Sequence, residues 1–285
     1  MIIVFIIGFF KNKMLHIITL GSNEDEMKYL KQSAERNGVT IKFILCDKWN
    51  GYIDKITTMK DVTQDIPDDD IVCFIDAYDV LLFTNVDEIL SKFYDYDCDL
   101  LLSSELNCYP GENMPRYDTV YNHLGLEKMT NFKYVNSGGY IGYKRALCEL
   151  FNWKPVEEII EIIQLGGDQN YFTEYYLEFA CVPEKRIKID MFQRIFQSVY
   201  KMYFEDVEFT KGRVLNNVLN ETPCFVHFNG YGGYYYQIYD THNYGRDIRT
   251  FYLEHSELSK NGMTYTLDGY RPPYSYHYPN IMQLP

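Results

Sequence analysis

The run Ile75-Asp76-Ala77-Tyr78-Asp79 places two carboxylates where an apolar stretch, residues 71–75 (IVCFI), comes to its end. At the carboxyl end of a parallel strand, ligands bind in the crevice beside the sheet. Residues three apart on a straight strand face opposite ways, so Asp76 and Asp79 converge only if the chain turns after Asp76. A converged pair suits a hard divalent cation such as Mn²⁺ or Mg²⁺, which takes oxygen ligands and shares them with substrate phosphates. Without the turn, one Asp caps the next segment and the other is solvated. His227, in PCFVHFNG, ends a second apolar run. It is either a buried structural histidine or a nitrogen ligand that tilts selectivity toward Mn²⁺. Gly230, Gly232 and Gly233 follow it, where backbone N–H groups can approach a diphosphate. In Asn136-Ser-Gly-Gly139 a glycine pair interrupts a strand, the mark of a bulge or of close ligand approach. Gly166-Gly167-Asp168-Gln169 opens a helix. Asp168 is there either an N-cap or a carboxylate offered to a bound sugar.

The elements that position these residues alternate strand and helix. Residues 15–20 (LHIITL) read as a first strand, and Ser22 or Asn23 is placed to cap a helix running to about Arg36. Asn37-Gly38 ends that helix. Residues 40–45 form a second strand, and a helix follows over 55–64. The acidic turn of residues 67–70 leads into the third strand, 71–75, apolar throughout as in one buried on both faces. Asn85 caps a helix to about Tyr94, and residues 100–104 form another strand. This alternation predicts an α/β sandwich with a mostly parallel central sheet. The second half is less regular: a strand over 134–143 broken by its glycine pair, helices over 145–151, 155–163 and 168–179, and a late strand over 223–228. The tail from Tyr265 is rich in Tyr and Pro and is expected on the surface.

Composition narrows the classes of function. The 285 residues carry 27 Lys plus Arg against 40 Asp plus Glu, a net charge of −13. That argues against nucleic-acid binding, which needs a basic face. Seven cysteines at irregular spacings, with no CxxC pair, predict free thiols and neither a disulfide framework nor a zinc ribbon. The opening MIIVFIIGFF is too short to span a bilayer and lacks the basic flank and cleavage site of a secretory signal. No stable membrane insertion is therefore expected, and a soluble intracellular protein is favoured. GxGxxG, P-loop, GxSxG and HExxH patterns do not occur, which removes the common dehydrogenase, P-loop, esterase and zincin readings.

Taken in order, LCDKW at 45–49, VCFIDAYDVLL at 72–82, LLLSSELNCYP at 101–110, VNSGGYIGY at 135–143, GDQNYFT at 167–173, RIFQ at 194–197 and PCFVHFNG at 223–230 resemble one family. It is the glycosyltransferase domain of the multifunctional procollagen lysyl hydroxylases, a GT-A-like fold. The resemblance runs from about residue 15 to 245. Residues 1–14 then form an apolar N-terminal extension, and 246–285 a C-terminal extension packed on the same domain. The resemblance implies a UDP-sugar donor and Mn²⁺, with Mg²⁺ as the alternative, held by Asp76, Asp79 and His227. It places Tyr78 at the uridine, Trp49 beside the nucleotide, and Lys55 near the phosphates. Asn229 and Gly230 lie against the diphosphate. Asn136, Gly138, Gly139 and Gln169 belong to the donor site, and Glu105 and Asp168 to the catalytic end. The implied reaction moves glucose, with retention, from UDP-glucose to galactosyl-hydroxylysine of collagen or a collagen-like protein.

This chain departs from the family at three places. Tyr109 stands where Trp is frequent, Gly166-Gly167 replaces a run of Asp, and the lysine expected soon after the His227 motif gives way to Tyr and Gly at 231–236. Galactosyl transfer to hydroxylysine, or another UDP-sugar transfer, is the alternative reaction. The alternative of another class is an inactive GT-A-like binding module. Loss of a metal ligand would mark such a module, and all three are present.

Overall fold

The computed structural model describes residues 13–126, 128–202, 206–230, 237–238 and 246–266. Strand β1 (Leu15–Gly21) leads to helix α1 (Lys28–Arg36) and β2 (Lys42–Leu45); α2 (Tyr52–Val62) and β3 (Ile71–Ile75) follow. After the short β4 (Val80–Leu82) come α3 (Val86–Asp95), β5 (Leu100–Glu105), α4 (Met114–Leu124) and β6 (Tyr134–Tyr143). Helices α5 (Lys144–Phe151) and α6 (Val156–Phe179) then precede β7 (Ile187–Ile189), β8 (Phe196–Ser198), β9 (Val207–Thr210), β10 (Arg213–Asn216) and β11 (Phe225–His227). The chain closes with the two-residue strands β12 (Gln237–Ile238) and β13 (Arg246–Asp247), helix α7 (Ile248–Ser259) and β14 (Tyr265–Thr266).

The main sheet has the order β2-β1-β3-β6-β5-β7. Strand β6 runs antiparallel to both its neighbours, while the β1–β2, β1–β3 and β5–β7 pairs are parallel. Five of the six strands therefore share one direction, and the mostly parallel GT-A-like sheet expected from the sequence is present. Its central strand β3 is buried at every position. One face packs under α2, α4, α5 and α6, with the stacked rings of Phe74, Tyr140 and Phe172 at its centre. The other face packs under α1 and α3 and against a second small sheet, β4-β11-β8.

That second sheet brings distant segments to the end of β3. Strand β11 pairs antiparallel with β4, Val80 opposite His227, and parallel with β8, His227 opposite Ser198. A third sheet, β10-β9-β14, and helix α7 share a core of Phe209, Val214, Val226, Phe251 and Tyr252. The described part of the region assigned to a C-terminal extension is thus built into the fold. Residues 1–12 and 267–285 lie outside the described residues.

Two local expectations change. Strand β6 is continuous across the glycine pair, and the irregularity appears in its pairing instead. Opposite Leu102 stands Tyr140, and opposite Ser103 stands Asn136, so residues 137–139 are extra relative to β5. Near the start of the chain, neither Ser22 nor Asn23 caps α1 directly. The amide oxygen of Asn23 accepts the Asp25 N–H at 3.1 Å, which begins a 3₁₀ turn, and the α-helix starts at Lys28.

Candidate active site

Two features bring the chemistry together beyond the end of β3. The chain leaves the strand at Ile75 and turns through Ala77 and Tyr78 into β4, which puts Asp76 and Asp79 on one side. Strand β11 delivers His227 beside them. Nε2 of His227 lies 3.2 Å from Oδ2 of Asp79 and 3.8 Å from Oδ2 of Asp76. One ligand atom from each residue lies within 4.8 Å of the others. An octahedral ion with bonds of about 2.1 Å separates its ligand atoms by roughly 3–4.2 Å, so this oxygen, oxygen, nitrogen set fits a divalent cation with a small closure. The turn that allows it is the condition that spacing alone left open.

Glycine at 138 is part of this fit. A Cβ there would sit 2.0 Å from Cε1 of His227 and 2.8 Å from Oδ2 of Asp76. Gly139 has a different reason: its Cβ would meet the Phe196 ring at 2.6 Å. The structure places Gly139 against packing and not against the cleft, in contrast to the donor-site expectation. The irregular pairing of β6 sets both glycines, because Asn136 Oδ1 accepts the Gly138 N–H and the Gly138 carbonyl accepts the Asp76 N–H.

Lys55, buried on α2, ties two carboxylates together. Its Nζ lies 2.7 Å from Asp76 Oδ1 and 2.6 Å from Asp168 Oδ2, and it donates to the Ser137 carbonyl at 3.0 Å. Asp168 therefore spends its charge on Lys55 and is not a simple N-cap. It enters the cleft because α6 breaks at Gly166 and Gly167, the latter left-handed at φ +67°. A Cβ on Gly166 would meet Pro110 at 2.5 Å.

Burial and pairing set the local charges. Burial weakens the Lys55 cation, but Asp168 and Asp76 more than compensate and hold it firmly protonated. Burial pushes the Asp76 carboxyl above its usual range, with Lys55 opposing and Asp79 adding to the rise. Asp79 is also partly buried, yet His227 beside it holds its carboxyl below that range. In return, the Asp79 and Asp76 charges raise His227 against its own desolvation.

Glu105, at the end of β5, is almost fully buried. Burial raises its carboxyl, and three side-chain amides oppose that rise. Gln169 Nε2 donates to it at 2.8 Å, Asn229 Nδ2 at 2.9 Å and Asn136 Nδ2 at 3.3 Å. The oxygen of Asn136 turns the other way, to Nδ1 of His227 at 3.0 Å. That bond assigns the ring proton to Nδ1 and leaves Nε2 facing the two aspartates, as a metal-binding imidazole requires.

Two cavities meet at the aspartate pair. The outer one, about 760 Å³, is lined by Trp49, Tyr52, Lys55, Asp76, Tyr78, Asp79 and Asp168, among others. The inner one, about 350 Å³, is lined by Asp76, Asp79, Glu105, Tyr109, Asn136, Gly138, Gln169, Tyr200, His227, Asn229 and Gly230, among others. Among the described residues, these two cavities are lined by every residue assigned a catalytic, donor-binding or metal role from the sequence except Gly139. Gly232 and Gly233 lie outside the described residues. Tyr78 is fixed by its hydroxyl, which accepts the N–H groups of Ser22 at 2.6 Å and Asn23 at 2.9 Å.

Two contributors escaped the sequence reading. Gly21 lets the chain pass Tyr78, since a Cβ there would lie 2.8 Å from the hydroxyl oxygen. Arg249, from α7, lines the outer cavity, donates to the Tyr78 carbonyl at 2.6 Å and is gripped by Asp247. Its one local signal is Asp247, two residues before it, which caps α7.

The chain is similar in sequence to known proteins. The multifunctional procollagen lysine hydroxylase and glycosyltransferase of Caenorhabditis elegans is 29% identical over 236 residues, 76% of this chain and 30% of its own length. The human protein named multifunctional procollagen lysine hydroxylase and glycosyltransferase LH3 is 29% identical over 233 residues, again 76% of this chain and 30% of the relative. A protein of Acanthamoeba polyphaga mimivirus is 27% identical over 197 residues, 64% of this chain and 38% of its own. The chain therefore spans about a third of the length of these relatives. The model of the PLOD GT domain matches residues 11–251, from before β1 into α7, and the cavities, the aspartate pair and His227 all fall within it. On that match across most of the fold, the chain belongs to the PLOD GT domain family of glycosyltransferases.

Proposed function

We propose that this protein is a metal-dependent hexosyltransferase that moves glucose, with retention of configuration, from UDP-glucose to galactosyl-hydroxylysine of a collagen or collagen-like protein. The observation that carries the reading is the convergence of Asp76, Asp79 and His227 at the junction of an outer and an inner cavity. Asp76 and Asp79 line both cavities, which suits a cation shared between a nucleotide on one side and a sugar on the other. The family membership and the names of the two animal relatives support the donor and acceptor class.

Asp76, Asp79 and His227 would hold Mn²⁺, or Mg²⁺ in its place. The bound ion would supply positive charge to the diphosphate as it leaves. Trp49 and Tyr78 wall the outer cavity, where the uridine lies in this reading. Tyr78 is held by the β1 end of the sheet and by Arg249, so its ring is set before the donor arrives. Lys55 keeps Asp76 and Asp168 in place. Asp168 and Gln169 stand between the cavities, and Asp168 is the carboxylate assigned to the reacting carbon. Gly138 and Gly230 leave room beside the ligands, and Asn229 and Asn136 present amides to the inner cavity. Tyr109, exposed at the rim, is the residue through which the acceptor is selected.

UDP release from UDP-glucose and from UDP-galactose tests the proposal, with Mn²⁺ or with a chelator, and with or without a collagen peptide bearing galactosyl-hydroxylysine. Release from UDP-glucose that needs Mn²⁺ and rises with the peptide is expected. Release from UDP-galactose alone would reassign the donor. No release from either, by folded protein, would favour the binding-module reading.

A further inference from the structure

Behind the inner cavity lies a chain of buried polar groups that no step above uses. Asn229 presents its amide edge to the cavity, and an amide side chain has two nearly identical orientations that only its partners distinguish. Here Oδ1 accepts the Ser198 hydroxyl at 2.6 Å and the Tyr200 N–H at 3.2 Å. Nδ2 donates to Glu105 Oε2 at 2.9 Å. A flipped amide would turn its oxygen onto the Glu105 carboxylate and its NH₂ onto the Tyr200 N–H.

Ser198 has no exposed surface and is itself fixed. Its N–H donates to Gln193 Oε1 at 2.7 Å. Gln193 Nε2 donates in turn to the Ser104 carbonyl at 2.9 Å and to the Ser104 hydroxyl at 3.0 Å. Gln193 thus bridges Ser104, the residue before Glu105, and Ser198, the partner of Asn229. It does so from a left-handed backbone at φ +52°, a conformation that a non-glycine residue holds only when its surroundings impose it. The fully buried carboxylate of Asp190 imposes it, because it accepts the N–H groups of Arg194, Ile195 and Phe196 at 2.8–2.9 Å.

We propose that Ser198 is a positioning residue for the transfer reaction: with its backbone N–H held by Gln193, its hydroxyl fixes the orientation of the Asn229 amide and through it the side of Glu105 that Asn229 meets. The role in transfer rests on the functional reading above; the orientation of Asn229 does not.

The test uses Ser198→Ala, which removes one buried oxygen. In ¹⁵N-asparagine-labelled protein without metal or donor, solvent exchange of the Asn229 side-chain amide protons should rise about tenfold, the equivalent of one lost hydrogen bond. Unchanged exchange would overturn the proposal. With Mn²⁺ and UDP-glucose, kcat for UDP release should fall about tenfold while the donor KM stays within twofold. In an Asn229→Ala background, Ser198→Ala should change kcat less than twofold, because the two residues act as one unit. Losses that multiply independently would show that Ser198 acts on the fold generally and would refute the positioning role. If the unsubstituted protein releases no UDP from either donor, the functional reading fails, and the amide exchange still decides whether Ser198 orients Asn229.

Discussion

Gly138→Ala separates the candidate metal site from ordinary packing. The added methyl would meet His227 Cε1 at 2.0 Å and Nδ1 at 2.6 Å, where ordinary contact begins at 3.4 Å. The imidazole, or the stretch of β6 beneath it, must therefore shift by more than about 1 Å. Such overpacking costs about 1–3 kcal/mol of stability. A ligand displaced that far weakens a metal site by roughly 100-fold, the upper end of what lost support for a ligand costs. At a Mn²⁺ concentration near 100 times the dissociation constant, binding stabilises the protein by about 2.7 kcal/mol. At about 2 °C per kcal/mol for a chain of this size, that is a rise in Tm of about 5 °C. After a hundredfold loss of affinity the same concentration gives about 0.4 kcal/mol, a rise of about 1 °C. Gly139→Ala is the control. Its methyl strikes Phe196 and leaves His227 alone, so stability falls while the 5 °C response to Mn²⁺ remains. Calorimetric scans of both variants, with and without Mn²⁺, decide the matter. A full Mn²⁺ response in Gly138→Ala would refute the placement of the cation between Asp76, Asp79 and His227.

Other perturbations read different parts of the molecule. Lys55→Met should destabilise the metal-free protein by about 3–5 kcal/mol in urea titration, because it strands Asp76 and Asp168; a loss below about 1 kcal/mol would show that solvent already screens them. Glu88 is partly buried, yet hydrogen bonds from Arg213, Lys92 and Thr84 lower its carboxyl from 4.5 to about 2. Its contribution is therefore complete above about pH 4.5 and disappears as pH falls toward 2, on the order of 2–3 kcal/mol in all. The gap in Tm between wild type and Glu88→Gln should close over that interval, and a gap independent of pH would contradict the linkage. Arg249→Lys cannot keep both the Tyr78 carbonyl and the Asp247 fork. It should weaken UDP binding about five- to tenfold by calorimetry, and unchanged affinity would limit Arg249 to packing.

The parts of the fold legible in the sequence are those whose pattern is local. Strand β3 reads directly from its five apolar residues, and α3 from Asn85, whose side chain does accept the Glu88 N–H at 3.0 Å. The break of α6 at Gly166 and Gly167 is legible for the same reason: the left-handed backbone at Gly167 calls for glycine. Strands β4, β8 and β11 have three residues each, too few for a periodicity, and they pair across as many as 147 positions, from Val80 to His227. No local rule reports such a register.

That contrast explains which site residues were visible. Asp76, Asp79 and His227 announce themselves because each is a polar group at the end of an apolar run, costly to bury without a purpose. Their convergence depends on β11 lying beside β4, a tertiary fact. Gln193, Ser198 and Arg249 carry no such mark, because their side chains find partners far along the chain: the Ser104 carbonyl for Gln193, Asn229 for Ser198 and the Tyr78 carbonyl for Arg249. Glu105 stands between the two cases. Its charge is visible in LLLSSELNCYP, but the three amides that surround it come from β6, α6 and the end of β11. With both its oxygens already engaged by those amides, its carboxylate is better suited to holding the inner cavity in shape than to attacking a sugar. Asp168 pairs with Lys55 through Oδ2, which in the proposed reading leaves its other oxygen for chemistry.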